Sequence, residues 1–196
     1  MTATTNVTTK WYATDNTAGS DLTKNQAISV TTAPEYPGPQ ANLGDMEIGN
    51  NGSQWLFVQA SNGAITAGNV VAIDCNFSSY NMTASLAASL KYNVGIAVLN
   101  ASLASVNTGD YFWACLRAAG GIVVNVLATA TGNSAAPGSL LYISSAQPGA
   151  VVSSLNAIGS VNSTNAMLKN IYLNSTITGT TTTVDCSILY NIVATL

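Results

Sequence analysis

Histidine is absent from this 196-residue chain, and charge of either sign is scarce: Asp, Glu, Lys and Arg together make up 7% of the residues, against roughly 25% in an ordinary soluble domain. The first absence removes the commonest general base and the commonest metal ligand, so a Ser or Cys nucleophile would have to work without its usual partner. The second leaves a net charge of −3 and five basic residues, Lys10, Lys24, Lys91, Arg117 and Lys169. These stand singly, whereas neutralising a run of phosphates takes a cluster of Lys and Arg. Nucleic acid is not an expected partner. No stretch approaches the roughly 18 consecutive apolar residues of a membrane span. The opening Met1-Thr2-Ala3-Thr4-Thr5 has no charged start ahead of an apolar run, so neither a membrane nor a secretory route is expected.

Reactive groups are few as well. Cys75, Cys115 and Cys186 are widely spaced and form no CxxC pair, which leaves a metal site without support. Each falls within or at the end of an expected strand, where a free thiol acts as a small buried hydrophobe. A GxSxG elbow is missing, and no glycine-rich loop opens a helix. Among the eight acidic residues, Asp74, Asp110 and Asp185 lie at strand ends and are the candidates for a glycosidase-type carboxylate pair. The alternative for each is a turn residue whose side chain accepts hydrogen bonds from nearby backbone amides. Neither an enzyme nor a cofactor is expected.

What is present is a polar but uncharged surface composition, rich in Thr, Ser, Asn, Gly and Ala, suited to lying against other protein. The densest stretch is Gly109-Asp110-Tyr111-Phe112-Trp113-Ala114-Cys115-Leu116-Arg117. Along a strand, Tyr111, Trp113, Cys115 and Arg117 share one face and Phe112, Ala114 and Leu116 the other. Both faces are mostly apolar, so this strand must be covered on two sides, by a second sheet and by more protein. Gly120-Gly121 then reads as a turn into Ile122–Leu127, which makes the pair a hairpin.

Residues 1–48 differ from the rest. Apolar residues there are too sparse for any period, and Pro34, Pro37 and Pro39 favour an extended conformation. This predicts an extended N-terminal arm, with the β domain over residues 49–196. Trp11, Tyr12 and Tyr36 are the arm's candidate anchors on a partner, and Trp55 divides between core and interface. Trp113 reads as core. Arg117, the only Arg, pairs either with a carboxylate such as Asp110 or Asp74, or with a neighbouring subunit. Met82, Leu86 and Leu90 fall at helical spacing in a Ser- and Thr-rich stretch, which reads as a loop with one helical turn.

About ten short strands at this spacing predict an all-β fold, a β-sandwich or barrel. The chain also echoes itself. Pro137-Gly138-Ser139-Leu140-Leu141-Tyr142-Ile143 follows the pattern of Ala67-Gly68-Asn69-Val70-Val71-Ala72-Ile73, and Ala157-Ile158-Gly159-Ser160-Val161 that of Asn93-Val94-Gly95-Ile96-Ala97. Either a duplicated half-domain or two similar strand-turn pairs would produce this.

The succession GNVVAID (Gly68–Asp74), VGIA (Val94–Ala97), GDYFWACLRAAG (Gly109–Gly120), PGSLLYI (Pro137–Ile143) and AIGSV (Ala157–Val161) resembles the head decoration, or cement, proteins of tailed bacteriophages. The resemblance covers about Gly49 to Val161. It implies a decoration-protein barrel or a jelly-roll-like core, and a structural virion protein made in the host cytoplasm. Such a protein binds the outer capsid surface and reinforces contacts between capsomers. Its partners would be the major capsid protein and further copies of itself, as a trimer or dimer. The competing reading is a tail-fibre or adhesin-like module that binds host surface carbohydrate through Trp55 and exposed Asn and Asp residues.

Overall fold

A computed structural model describes residues 41–49, 52–88, 93–97, 105–127, 134–144, 146–153, 167–178 and 181–195. The all-β expectation holds. Among these residues the order is β1 (Met46–Ile48), β2 (Gln54–Asn62), β3 (Ile65–Thr66), β4 (Val70–Ile73), β5 (Ser78–Asn81), α1 (Ala84–Ala88), β6 (Asn93–Ala97) and β7 (Ser105–Val106). Then come β8 (Tyr111–Asn125), β9 (Leu141–Ile143), β10 (Val151–Val152), β11 (Met167–Leu173) and β12 (Thr183–Thr195). The single helical turn falls where Met82 and Leu86 suggested it, with the Thr83 hydroxyl accepting from the Leu86 N–H at 3.2 Å. Strand pairing begins earlier than the expected boundary at residue 49, because Met46–Ile48 pairs with β2. The rest of the expected arm, residues 1–40, lies outside the described residues.

The central stretch is the hub of the fold, though not as a hairpin. β8 runs unbroken for 15 residues through Gly120-Gly121. Its first half pairs with β2 on one side and β6 on the other, and its second half pairs with β12. A glycine pair inside a strand is a place where the chain can bend and change neighbours. Gly121 has φ of 73°, the ladder to β12 shifts register between Cys186 and Ile188, and the strand passes from one group of partners to another.

These pairings close into a ring. β2 pairs with β8, β8 with β6, β6 with β4, β4 with β5, and β5 returns to β2 in the one parallel step. Alternation then sorts the side chains. Leu56, Val58, Ala60, Val71, Ile73, Ala97, Phe112, Ala114 and Leu116 form one buried cluster, joined by Ile65 and Val106 from the β3–β7 pair. They fill the inside of the ring, as in small barrels. A Cβ built on Gly95 would sit 3.2–3.3 Å from Ala114, Ile73 and Leu116, so this interior has no spare volume at that point.

The second half repeats the order of the ring and most of its pairs, the exception being β9 with β11, where Leu141 faces Leu168. Where Leu56 faces Ala114 and Val58 faces Phe112 in the first ring, Ile122 faces Cys186 and Val124 faces Val184 in the second. The Ala97–Ala114 pair is matched by Leu173–Cys186, and Ile73–Ser79 by Ile143–Val151. The pairing of Ile65 with Val106 recurs as a bridge between Ala135 and Ile177. A parallel bridge from Val126 to Val151 closes the second circuit, as β2 and β5 close the first. Gly68 and Gly138, both at φ of 83°, open the matching turns. Of the two sequence echoes, the one at Pro137–Ile143 is therefore part of a structural repeat. The other, Ala157–Val161, lies outside the described residues, and β11 takes the place of β6 in the second ring.

The two rings share β8 and pack against each other. Trp55, Phe57, Val70, Ala72, Ile96, Trp113 and Cys115 point outward from the first ring, yet all are buried and belong to the same continuous core as the second ring's interior. Over residues 112–116 both faces of the central strand are thus covered by this one chain, whereas from Arg117 to Val123 one face stays open.

Candidate functional site

Sequence reasoning singled out carboxylates, cysteines, one Arg and a set of aromatics. The structure gives Asp45, Asp74 and Asp110 turn duties. Asp74 lies between β4 and β5, and its Oδ1 accepts from the N–H groups of Asn76 and Ser78, both at 2.9 Å. The matching position in the second ring is Ser144, whose Oγ accepts from Ala146 and Gln147 N–H groups at 3.1 Å. The repeat thus preserves a capping acceptor and not a charge. Asp110 Oδ2 accepts from Asn107 N–H at 3.3 Å, and Asp45 Oδ2 does the same for Asn42 at 2.7 Å. Asp185 is held on its strand by Ser175, whose Oγ accepts the Asp185 N–H at 3.1 Å.

The cysteines divide. Cys115 and Cys186 are buried as expected, whereas Cys75 is exposed on the β4–β5 turn. The strand predicted to hold Cys75 ends at Ile73, because the Asp74 side chain organises a turn immediately after it. Burial, chiefly, pushes the Cys115 thiol up to about 12 from 9.0, and burial followed by the charge of Asp185 does the same for Cys186. Both stay protonated at neutral pH and are poor nucleophiles. A thiol reagent at pH 8 is therefore expected to label one cysteine in the folded protein and three after denaturation. Since both thiols titrate higher in the fold than in the unfolded chain, their contribution to stability is complete below pH 9 and fades as pH rises from 9 towards 12. Retained stability across that interval, measured by urea titration, would contradict this.

Arg117 is exposed at the bulge where β2 starts, paired in register with Gln54. The local ion pair with Asp74 or Asp110 does not form, since those carboxylates serve their own turns, and no described carboxylate takes their place. Trp55, by contrast, is withdrawn from any interface. It is fully buried, and its indole N–H donates to Ser53 Oγ at 2.6 Å. That internal acceptor is what lets the whole ring system leave water. Phe57 stacks on Tyr111 at 5.7 Å and tilts against Trp113 at 4.9 Å, so the aromatic density of the chain goes into the seam between the rings. Trp11, Tyr12 and Tyr36 lie outside the described residues.

No family model, curated protein or solved structure matches this chain. Among the described residues, no group of three or more His, Cys, Asp or Glu side chains gathers to hold a metal. No described helix is long and apolar enough to cross a membrane.

What the sequence did not reveal is which apolar residues reach the surface. Leu43, Met46 and Ile48 are exposed around β1, and Val123, Leu140, Tyr172 and Leu189 on the second ring. In the run Ile122-Val123-Val124 every residue is a strand-former, so composition alone could not tell that only Val123 faces out. These two apolar groups, with Arg117, are exposed at the surface of the described residues.

Proposed function

We propose that this chain is a structural virion protein that binds the outer surface of a tailed-phage capsid and reinforces contacts between capsomers. The observation that carries the reading is the combination of an almost uncharged chain with apolar side chains left exposed in two separate groups. One group lies where the N-terminal forty-odd residues join the rings, the other on the second ring. Contact surfaces in two places suit a protein that touches more than one neighbour. Each contact need only be modest, because engaging several capsomers at once raises the effective concentration of the rest. Reinforcement by binding energy asks for no catalytic group, and it is compatible with Asp74 and Asp110 being committed to turns. The N-terminal segment carrying Trp11, Tyr12 and Tyr36 would add an arm that reaches an adjacent subunit.

The test is co-sedimentation with capsids. The full chain is expected to pellet with capsids and to raise the temperature at which they rupture. Removing residues 1–40 is expected to lower occupancy about tenfold or more, since one of several linked contacts is lost. Equal occupancy by full and trimmed chains would rule out a clamping arm. Absence of the full chain from the capsid pellet, with binding instead on a glycan array, would replace the reading by that of an adhesin module.

A further inference from the structure

We propose that Asn62 is a site of covalent self-modification, where the side-chain amide is lost as ammonia and the residue becomes a mixture of aspartate and isoaspartate. No enzyme is needed. The Gly63 nitrogen attacks Asn62 Cγ, an N–Cγ bond forms, and a five-membered succinimide closes. The Cγ–Nδ2 bond breaks, and the proton of the Gly63 N–H passes through water to the departing ammonia. Water then adds to one of the two ring carbonyls. Addition at Cγ restores the ordinary main chain and leaves aspartate, whereas addition at the backbone carbonyl routes the main chain through Cβ and Cγ and leaves isoaspartate. One water is consumed and one ammonia released, with no change of oxidation state.

The local structure leaves both reacting groups uncommitted. Asn62 is exposed at the last residue of β2, and no described residue hydrogen-bonds its side chain. Gly63 follows with φ of 73° and nothing within 4 Å of where a Cβ would stand, so the peptide between them can turn its nitrogen towards Cγ without meeting a neighbour. The Gly63 N–H has no backbone acceptor among the described residues. Adjacency in one chain supplies the effective concentration that makes so weak a nucleophile sufficient. Other described asparagines are held back. Asn69, Asn81, Asn125 and Asn174 each donate their side-chain amide to a hydrogen bond, and the residues that follow them, Val70, Met82, Val126 and Ser175, crowd the nitrogen that would attack. The chain's other asparagine–glycine pair, Asn51-Gly52, has its asparagine outside the described residues.

The two products differ in consequence. Aspartate adds one negative charge to the net −3 and leaves the main chain as it was. Isoaspartate lengthens the main chain by one carbon between two fixed points. Before it stands the pairing of Asn62 with Tyr80, in the parallel step that closes the first ring. After it stands the Ala64 carbonyl, which accepts from Asn81 Nδ2 at 3.0 Å, and Asn81 in turn accepts from Asn69 at 2.7 Å. A longer connection cannot satisfy both ends unchanged, so the isoaspartate form loosens the first ring where it meets the Asn69 network.

The purified full chain, kept folded in mildly alkaline water enriched in heavy oxygen, tests this with no capsid present. Peptide masses are expected to show labelled deamidation at Asn62 about tenfold or more faster than at Asn69, Asn81, Asn125 or Asn174. Gly63→Ala is expected to slow it about tenfold or more, because the added Cβ crowds the nitrogen and resists the positive φ. Asn62→Gln keeps Gly63 and its backbone, and should gain far less label at residue 62 over the same time. Asn62→Asp should elute with the aspartate product on ion exchange and unfold at the same urea concentration as fresh protein, while the separated isoaspartate fraction unfolds at a lower one. An Asn62 that stays intact, that reacts no faster than the other four, or whose rate Gly63→Ala leaves unchanged would overturn the proposal. An isoaspartate fraction as stable as fresh protein would overturn its link to the ring closure.

Discussion

Replacing Phe112 by alanine is expected to destabilise the protein by about 3–5 kcal/mol, the range for truncating a fully buried aromatic, and to do so in a single cooperative transition. Phe112 is one of the largest completely buried side chains, and it lies inside the first ring opposite Val58. Removing its ring leaves a void in a cluster that includes Ala60, Ala97 and Ala114 beside larger side chains, and relaxation refills such a void only in part. Its counterpart in the second ring is the much smaller Val184, so Val184→Ala should cost distinctly less. The single transition follows from β8, which supplies a strand to both rings and cannot leave one without opening the other. Urea unfolding followed by tryptophan fluorescence and by circular dichroism checks both points. Two separated transitions would mean that the rings are independent folding units. A loss below about 1 kcal/mol would mean that the ring interior is not the packed core described here.

The second large effect is expected at Asn69, where the rings are tied together. Asn69 is 5% exposed. Its amide N–H donates to Asn81 Oδ1 at 2.7 Å, and its Oδ1 accepts from Asn125 Nδ2 at 2.8 Å. Asn125 also donates to the Ala67 carbonyl at 2.7 Å, and Asn81 to that of Ala64 at 3.0 Å. Beside this network the turn at Gly149 reaches over from the second ring, accepting from Val70 N–H and donating to the Met82 carbonyl, both at 2.8 Å. Asn69→Ala strands polar groups on Asn81 and Asn125, so a loss of about 2–4 kcal/mol is expected from unsatisfied amides alone. Gly149→Ala attacks the same joint from the other side. At φ of 81° a side chain is strained, and its Cβ would fall 2.7 Å from Asn69 Cγ. In the double variant the contacts with Cγ and Nδ2 disappear, while the 2.8 Å contact with the Cβ of residue 69 and the backbone strain stay. The two losses should therefore sum to more than the double variant shows. Strict additivity would mean that Asn69 and Gly149 do not share one joint.

Legibility in the sequence varied with how local the deciding physics was. The strands around Trp55, Val70, Tyr111 and Met167 were readable because β-formers and glycine-led turns are written in adjacent residues. The two-residue strands β3 and β10 were not, since such a strand exists only through its partner. Asp74 and Asp110 could be weighed in advance as turn acceptors, and that is the duty they perform. The Gly120-Gly121 pair misled because the same dipeptide serves a reversal and a bend equally well. Only the ladder from Val123 and Val124 to Asp185 and Val184 decides between them. The sequence leaves Arg117 between a local carboxylate and a neighbouring subunit, because distance along the chain says nothing about which carboxylates are already engaged.

Composition and alternation by themselves determined that this is a β protein, nearly without charge, whose central strand has to be covered on both faces. Those properties belong to single residues and their neighbours, and no folding is needed to read them. The tertiary structure alone decided that the cover over residues 112–116 comes from the same chain, that two rings repeat one pattern around a shared strand, and that Trp55 is sealed inside while Val123 and Tyr172 remain outside. Each of these depends on hydrogen bonds between strands far apart in the chain, and a period of two cannot say which of its two faces will meet water.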